Sequence, residues 1–291
     1  MAKRAEDFVS YKTVLSPELF KIAWAPFYEQ GVARTRELRQ QFPRHHLDVS
    51  YGGSEMQILD LYLPEAVTAT TPVLVFLHGG AFREGHPGQY GFIGKPFLEE
   101  GIAFISASYR MAPEAFYPDQ VEDVALLLGW LNRNLAGYDL DPRRLVLSGH
   151  SSGALVVALA AVRDDWQAAA GVRQDFVKSI VIAGANYDHR DDAPTNLVRD
   201  PTRKEEGTVL CNLRRVPDRT VIVFARDERN TGDGRRFGLS GRPLAAALTE
   251  RGSDVSVFEL ETDHQGTCSA LCDKEGPVYA AVLESLRRMG A

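Results

Sequence analysis

Ser151, Asp227 and His264 have the residue types, and stand in the chain order, that nucleophilic chemistry on an acyl group requires. Ser151 lies in Gly149-His150-Ser151-Ser152-Gly153, behind the short apolar run Leu145-Val146-Leu147 and ahead of Ala154-Leu155-Val156-Val157-Ala158-Leu159-Ala160-Ala161. A strand that turns sharply into a buried helix holds a serine hydroxyl out at the sheet edge. The glycines at 149 and 153 leave room for that turn to close. The Ser152 N–H, at the positive end of the helix, then faces any oxyanion forming beside Ser151. A glycine-bounded turn after an apolar run is also a common purely structural device, so the partners must decide.

Two further strand ends offer them. The strand Pro72–His78 runs into Gly79-Gly80-Ala81-Phe82, where bare backbone N–H groups of Gly79 and Gly80 could complete an oxyanion hole with Ser152. An ordinary glycine turn is the plainer alternative, and His78 is read as a brace for the loop. The strand Thr220–Phe224 is followed by Ala225-Arg226-Asp227-Glu228, and a carboxylate just past a central strand can orient an imidazole across the sheet edge. Glu228 is the rival, and an ion pair with a neighbouring arginine is the unreactive alternative for Asp227. His264 occupies a polar, glycine-containing loop, Glu261 to Gly266, instead of an apolar face. Asp263 is adjacent in the chain, and neighbours rarely hold each other's side chains, so the orienting acid is assigned to Asp227.

These groups need a framework. Strands are expected at His46–Ser50, Ile58–Leu63, Pro72–His78, Ile102–Ser108, Leu145–Ser148, Ser179–Ala183, Thr220–Phe224 and Val255–Leu260. Helices are expected at Gly91–Glu100, Pro118–Leu135, Ser151–Arg163, Arg242–Arg251 and Gly276–Met289, with residues 1–43 also helical. Strands alternating with helices predict βαβ units and a mainly parallel sheet. The unbroken runs Val73 to Leu77 and Val221 to Phe224 fit central strands covered on both faces. Ligands of such sheets sit beyond the carboxyl ends of the strands. All three candidate side chains are expected there.

Composition narrows the function classes. The chain has 291 residues, 44% hydrophobic and 25% charged, as in ordinary globular proteins. That length accommodates one domain with an inserted cap. A formal net charge of -6 offers nothing to a polyanion, so nucleic acid is not expected as a partner. No apolar run approaches the ~20 residues of a membrane span, and Met1-Ala-Lys-Arg-Ala-Glu-Asp has no apolar stretch behind it. Cys211, Cys268 and Cys272 lack the second ligand pair of a zinc site. An odd cysteine count without a secretory signal predicts a reducing, cytoplasmic location.

With the motifs in view, the chain resembles an α/β-hydrolase of the branch holding hormone-sensitive-lipase-like carboxylesterases and kynurenine formamidases (arylformamidases). The resemblance runs from about residue 47 to 289. His78-Gly79-Gly80-Ala81-Phe82 is similar to the branch's oxyanion motif. Tyr109-Arg110-Met111-Ala112-Pro113-Glu114, with Tyr117-Pro118 and Asp123, is similar to a segment that is scaffold in the family. Tyr51-Gly52-Gly53, Leu59 to Pro64 and Asn186-Tyr187-Asp188 are closer to the formamidases, and Asp227 and His264 match the acid and base positions. The order Ser, Asp, His is that of the family's triad. His150 stands where many esterases of the branch have Asp or Glu, which alters charge beside the site. Ser152 stands where the branch usually has Ala; its N–H still serves, and its hydroxyl could contact substrate.

The resemblance implies an α/β-hydrolase fold: a mainly parallel eight-stranded sheet with helices on both faces and a small cap. Residues 1–43 are expected as a helical cap segment, and 44–291 as the hydrolase domain with a cap insertion at about 185–219. The 228–241 stretch, rich in glycine and polar residues, lacks the apolar lid of a true lipase. The expected activity is hydrolysis of a small carboxylic ester or aryl-formamide through an acyl-enzyme on Ser151, with no cofactor and no metal. The partner expected is a small-molecule substrate, with no membrane and with a homodimer left open. Acyl transfer, a lyase reaction, or a non-catalytic binding protein on the same scaffold are the alternatives; a peptidase would want a gating domain that the chain lacks.

Overall fold

Runs of Val, Ile, Leu and Phe too short for helices build the sheet, and the longer mixed segments between them build the layers that cover it. A computed structural model describes residues 25–190, 197–226 and 240–289. Asp227, Glu228 and most of the 228–241 stretch lie outside the described residues, as does the first part of the 1–43 segment. The strands are β1 (His45–Ser50), β2 (Ile58–Tyr62), β3 (Val73–Leu77), β4 (Ala103–Ala107), β5 (Leu145–His150), β6 (Ser179–Ala183), β7 (Arg219–Ala225) and β8 (Asp254–Leu260). They form one eight-stranded sheet in the order β1-β2-β4-β3-β5-β6-β7-β8. Only β1–β2 and β2–β4 pair antiparallel; the pairs from β4–β3 to β7–β8 are parallel. The expected mainly parallel sheet is therefore present.

The helices are α1 (Ala25–Gln41), α2 (Lys95–Glu99), α3 (Asp119–Asn134), α4 (Ser152–Val162), α5 (Gln167–Ala170), α6 (Gly241–Glu250), α7 (His264–Ser269) and α8 (Pro277–Met289). Alternate residues of β3 serve two cores. Val73, Val75 and Leu77 pack with α3 and α4, while Leu74 and Phe76 pack with α1, α2 and α8. Every residue of α4 is buried, which suits a helix that is apolar all round.

Two expectations change. Gly91–Glu100 is not one helix: a 3-10 turn, Gly91–Gly94, precedes α2. Pro96 supplies no N–H to continue the ladder, and Gly94 lies so close to the Phe104 ring that a Cβ there would fall 2.4 Å from it. The loop assigned to His264 is instead α7. Its N-cap is Asp263, whose Oδ1 accepts the Gly266 N–H at 2.7 Å.

Of the N-terminal segment, α1 lies against the chain at 86–94: the Phe92 N–H reaches Thr35 Oγ1 at 2.9 Å. The Tyr28 hydroxyl donates to buried Glu84, just past the Gly79-Gly80 loop. The segment from Tyr109 to Asp123 is scaffold here too. Buried Asp123 accepts the Arg110 backbone and guanidinium and the Gln57 amide, at 2.7–3.0 Å. No helix among the described residues is long and apolar enough to cross a membrane.

Candidate active site

β5 ends at His150, and the next residue carries the turn. Ser151 has φ 55° and ψ −123°, a conformation that side chains rarely adopt, and its N–H donates to Ala183 O at 2.8 Å on the end of β6. Close approach makes the turn possible. A Cβ on Gly153 would stand 2.3 Å from Leu77 O, and one on Gly149 would stand 2.6 Å from the Gly153 carbonyl carbon. The Ser151 turn is thereby seated directly on the end of β3.

His264, the first residue of α7, is buried, and its Nε2 lies 3.0 Å from Ser151 Oγ. A bare Nε2 lone pair at that distance can accept the serine proton. Asp263 does not compete to orient this ring, since its carboxylate caps its own helix. Asp227 falls outside the described residues, but the residue before it is held: the Arg226 N–H donates to Leu260 O at 2.9 Å, at the end of β8 and four residues ahead of His264 in the chain.

The β3 end stands against the same serine. A Cβ on Gly79 would fall 3.0 Å from Ser151 Cβ, so the Gly79 backbone packs against Ser151. Gly80 has φ +132°, and a Cβ there would strike Glu84 O at 1.9 Å; only glycine passes this point. His78 braces the loop as expected. Its Nδ1 lies 2.8 Å from Gly79 O and, facing a carbonyl, carries the hydrogen, while Nε2 faces the Ser108 hydroxyl at 3.0 Å. Accepting that bond turns the Gly79 carbonyl toward His78, so the Gly80 N–H of the same trans peptide points the other way. Stacked between Tyr90 and Tyr109, the imidazole is fully buried, which lowers its pKa to about 4 and keeps it neutral.

The structure thus brings together Ser151, His264, Gly79 and Ser152, with Gly80 next in the loop. It corrects one expectation. The Ser152 hydroxyl is buried and taken up by the Tyr109 hydroxyl at 3.1 Å, and Tyr109 also reaches His78 O at 3.0 Å. Two supporting residues escaped the sequence reading. Thr267 donates its hydroxyl to His264 O at 2.7 Å, and Ala183 receives the Ser151 N–H. A threonine three residues after the histidine was a usable sign for the first; nothing in the sequence marks the second.

Cys268 is buried, Cys272 half-buried and Cys211 exposed, and all three are free thiols. Burial raises the Cys268 and Cys272 thiols above their ordinary pKa, which leaves them poorly nucleophilic.

With this geometry established, similarity to known proteins becomes informative. The BD-FAE family model matches residues 59–184, the stretch from β2 to the end of β6. A kynurenine formamidase of Danio rerio is 24% identical over 260 residues, which cover 84% of this chain and 82% of that protein. An isoprenylcysteine alpha-carbonyl methylesterase of Arabidopsis thaliana is 29% identical over 150 residues, 52% of this chain. The matched region spans only about a third, 32%, of that methylesterase's length. Among solved structures, an inhibited esterase B from Lactobacillus rhamnosis superposes with a TM-score of 0.70 at 18% identity, covering 92% of this chain and 93% of that one. An esterase from the archaeon Pyrobaculum calidifontis gives a TM-score of 0.68 at 17% identity and similar coverage; both share the fold. The sheet order and the solved structures show an α/β-hydrolase fold, and the family model and these relatives are similarities that support its carboxylesterase and arylformamidase branch.

Proposed function

We propose that this protein is a serine hydrolase that cleaves a small carboxylic ester or aryl-formamide through an acyl-enzyme on Ser151. The observation that carries the reading is the 3.0 Å approach of His264 Nε2 to Ser151 Oγ at the carboxyl ends of parallel strands. In the proposed reaction, Ser151 Oγ bonds to the substrate carbonyl carbon as His264 Nε2 takes its proton. Backbone N–H groups of Gly79, Gly80 and Ser152 stabilise the resulting oxyanion, and Asp227 holds the imidazolium. The bond to the leaving alcohol or amine breaks as His264 returns the proton to it. Water, deprotonated by the same nitrogen, then attacks the acyl-enzyme, releasing the acid and restoring Ser151.

The likeness to a kynurenine formamidase over most of both chains favours the aryl-formamide. The methylesterase likeness covers only half of this chain and gives weaker support to esters. α1 and the segment at about 185–219 are proposed to cover the pocket and select among these substrates.

A fluorophosphonate should label wild type and leave Ser151→Ala unlabelled, with the adduct mapped to Ser151 by peptide mass. Ser151→Ala and His264→Ala should each lower kcat by about 10³- to 10⁶-fold, and the double variant should lose little more. N-formylkynurenine and a panel of aryl esters rank the substrates. Labelling that survives Ser151→Ala, or turnover that survives both changes, would reject the mechanism. An inert Ser151 would favour the binding-protein alternative, and transfer to an added alcohol in preference to water would favour an acyltransferase.

A further inference from the structure

His150 adjoins Ser151 in the chain, is fully buried, and takes no part in the proton transfers just described. Its Nε2 lies 3.0 Å from the backbone carbonyl oxygen of His264. A carbonyl can only accept, so this nitrogen carries the hydrogen and donates. Nδ1 then bears the lone pair; no hydrogen-bond partner for it is present among the described residues. The tautomer is therefore set by contact: Nε2–H, with Nδ1 bare.

We infer that His150 is a positioning residue that fixes the distance between nucleophile and base, by tying the residue beside Ser151 to the backbone of His264. This rests on the assignment of Ser151 and His264 as nucleophile and base. The geometry closes a ring through Ser151 Oγ, the His264 imidazole, the His264 carbonyl and the His150 imidazole, back along the chain to Ser151. Thr267 donates to the same carbonyl, so the base's backbone is gripped from its own helix and from the nucleophile's strand. Gly184, at φ +63°, keeps the junction close: a Cβ there would lie 3.1 Å from His150 Nε2 and 2.5 Å from Thr267 Oγ1. The two histidine rings lie 4.7 Å apart, centroid to centroid. Burial, and then the neighbouring His264, hold His150 well below the ordinary pKa, so it stays neutral beside the imidazolium that forms on His264. An ionised carboxylate at 150 has no hydrogen to give and could not form this tie. The donor, and not the ring, is the feature that matters.

The test compares His150→Gln, whose amide nitrogen can occupy the place of Nε2 and donate, with His150→Met, similar in size but without a donor. Readouts are p-nitrophenyl acetate hydrolysis and the rate of fluorophosphonate labelling. His150→Met should lose about 10- to 100-fold in kcat, as expected when a reacting pair is misplaced by a fraction of an ångström to one ångström. Its KM should stay within about threefold, since ground-state binding is untouched. The labelling rate should fall in parallel, and His150→Gln should recover most of both. Equal losses in the two variants, or a wild-type kcat in His150→Met, would overturn the inference while leaving the serine mechanism intact. A wild type that is not labelled at Ser151 would overturn both. Should His150→Met fail to fold, ¹⁵N-histidine NMR of the wild type still decides. A neutral His150 protonated on Nε2 between pH 6 and 9 supports the tie, and an Nδ1–H tautomer rejects it.

Discussion

Orienting His264 calls for a carboxylate, and the nearest one in the chain is already committed, because Asp263 caps α7 through Gly266. Arg226 is pinned to the end of β8, which brings the chain to the correct edge of the sheet one residue before Asp227. Asp227 is therefore the acid proposed for His264. Glu228 is the next residue in the chain, and successive side chains of any extended backbone point to opposite sides, so the two carboxylates could not serve equally. Asp227→Asn should keep the shape but present the wrong hydrogen-bonding partner, lowering kcat by on the order of 10⁴. Glu228→Gln should stay within about tenfold of wild type, as a solvated charge would. Steady-state kinetics on the two variants check this, and the reverse ranking would move the acid to Glu228.

Among elements, the turn between β5 and α4 depends on the β3 end beneath it. Gly153→Ala would drive a methyl group into Leu77 O and His78 O, both backbone atoms that cannot step aside. The change should cost about 1–3 kcal/mol in urea unfolding, and should lower kcat by parting Ser152 from the Gly79-Gly80 loop. Gly137→Ala, where a Cβ meets nothing within 4 Å, should change stability by less than about 0.5 kcal/mol. Equal effects at the two positions would show that the close approach is unimportant. All eight strands could be read from the sequence, β3 and β7 most plainly because their apolar runs are unbroken, and α4 because it is apolar throughout. Less legible was α7, six residues with little periodicity, whose one sign is an aspartate three places before Gly266. The 3-10 turn at Gly91–Gly94 depends on how near the Phe104 ring comes, a tertiary fact without a local signal. The same limit hid the Ser152–Tyr109 pair, since 43 residues separate its partners.

For the whole molecule, two buried imidazoles whose pKa burial lowers, His78 and His150, set a pH dependence. The folded pKa of His78 is lowered to about 4, whereas an unfolded histidine titrates near ~6.5. Between these values the unfolded chain binds more protons than the folded one, so stability is full above about pH 6.5 and declines as pH falls toward about 4. His78 alone accounts for about 3 kcal/mol over that span, and His150, also lowered, adds to it. Urea midpoints should therefore fall steadily from pH 7 to 4.5, and less steeply in His78→Gln. A midpoint that stays level across this range would mean that these rings take up protons without disturbing the fold.

Ser151 bears a further consequence. Its φ of 55° is joined at the same end of the sheet by Ala81 at 55° and Phe82 at 61°, three side chains held where glycine would rest more easily. Under selection for durability alone, mutation would drift these positions toward glycine, and the first such step at 151 would delete the hydroxyl. If Ser151 carries the proposed reaction, selection for that chemistry opposes the drift in every generation. A lineage that ceased to need the reaction would become sturdier as it became inert.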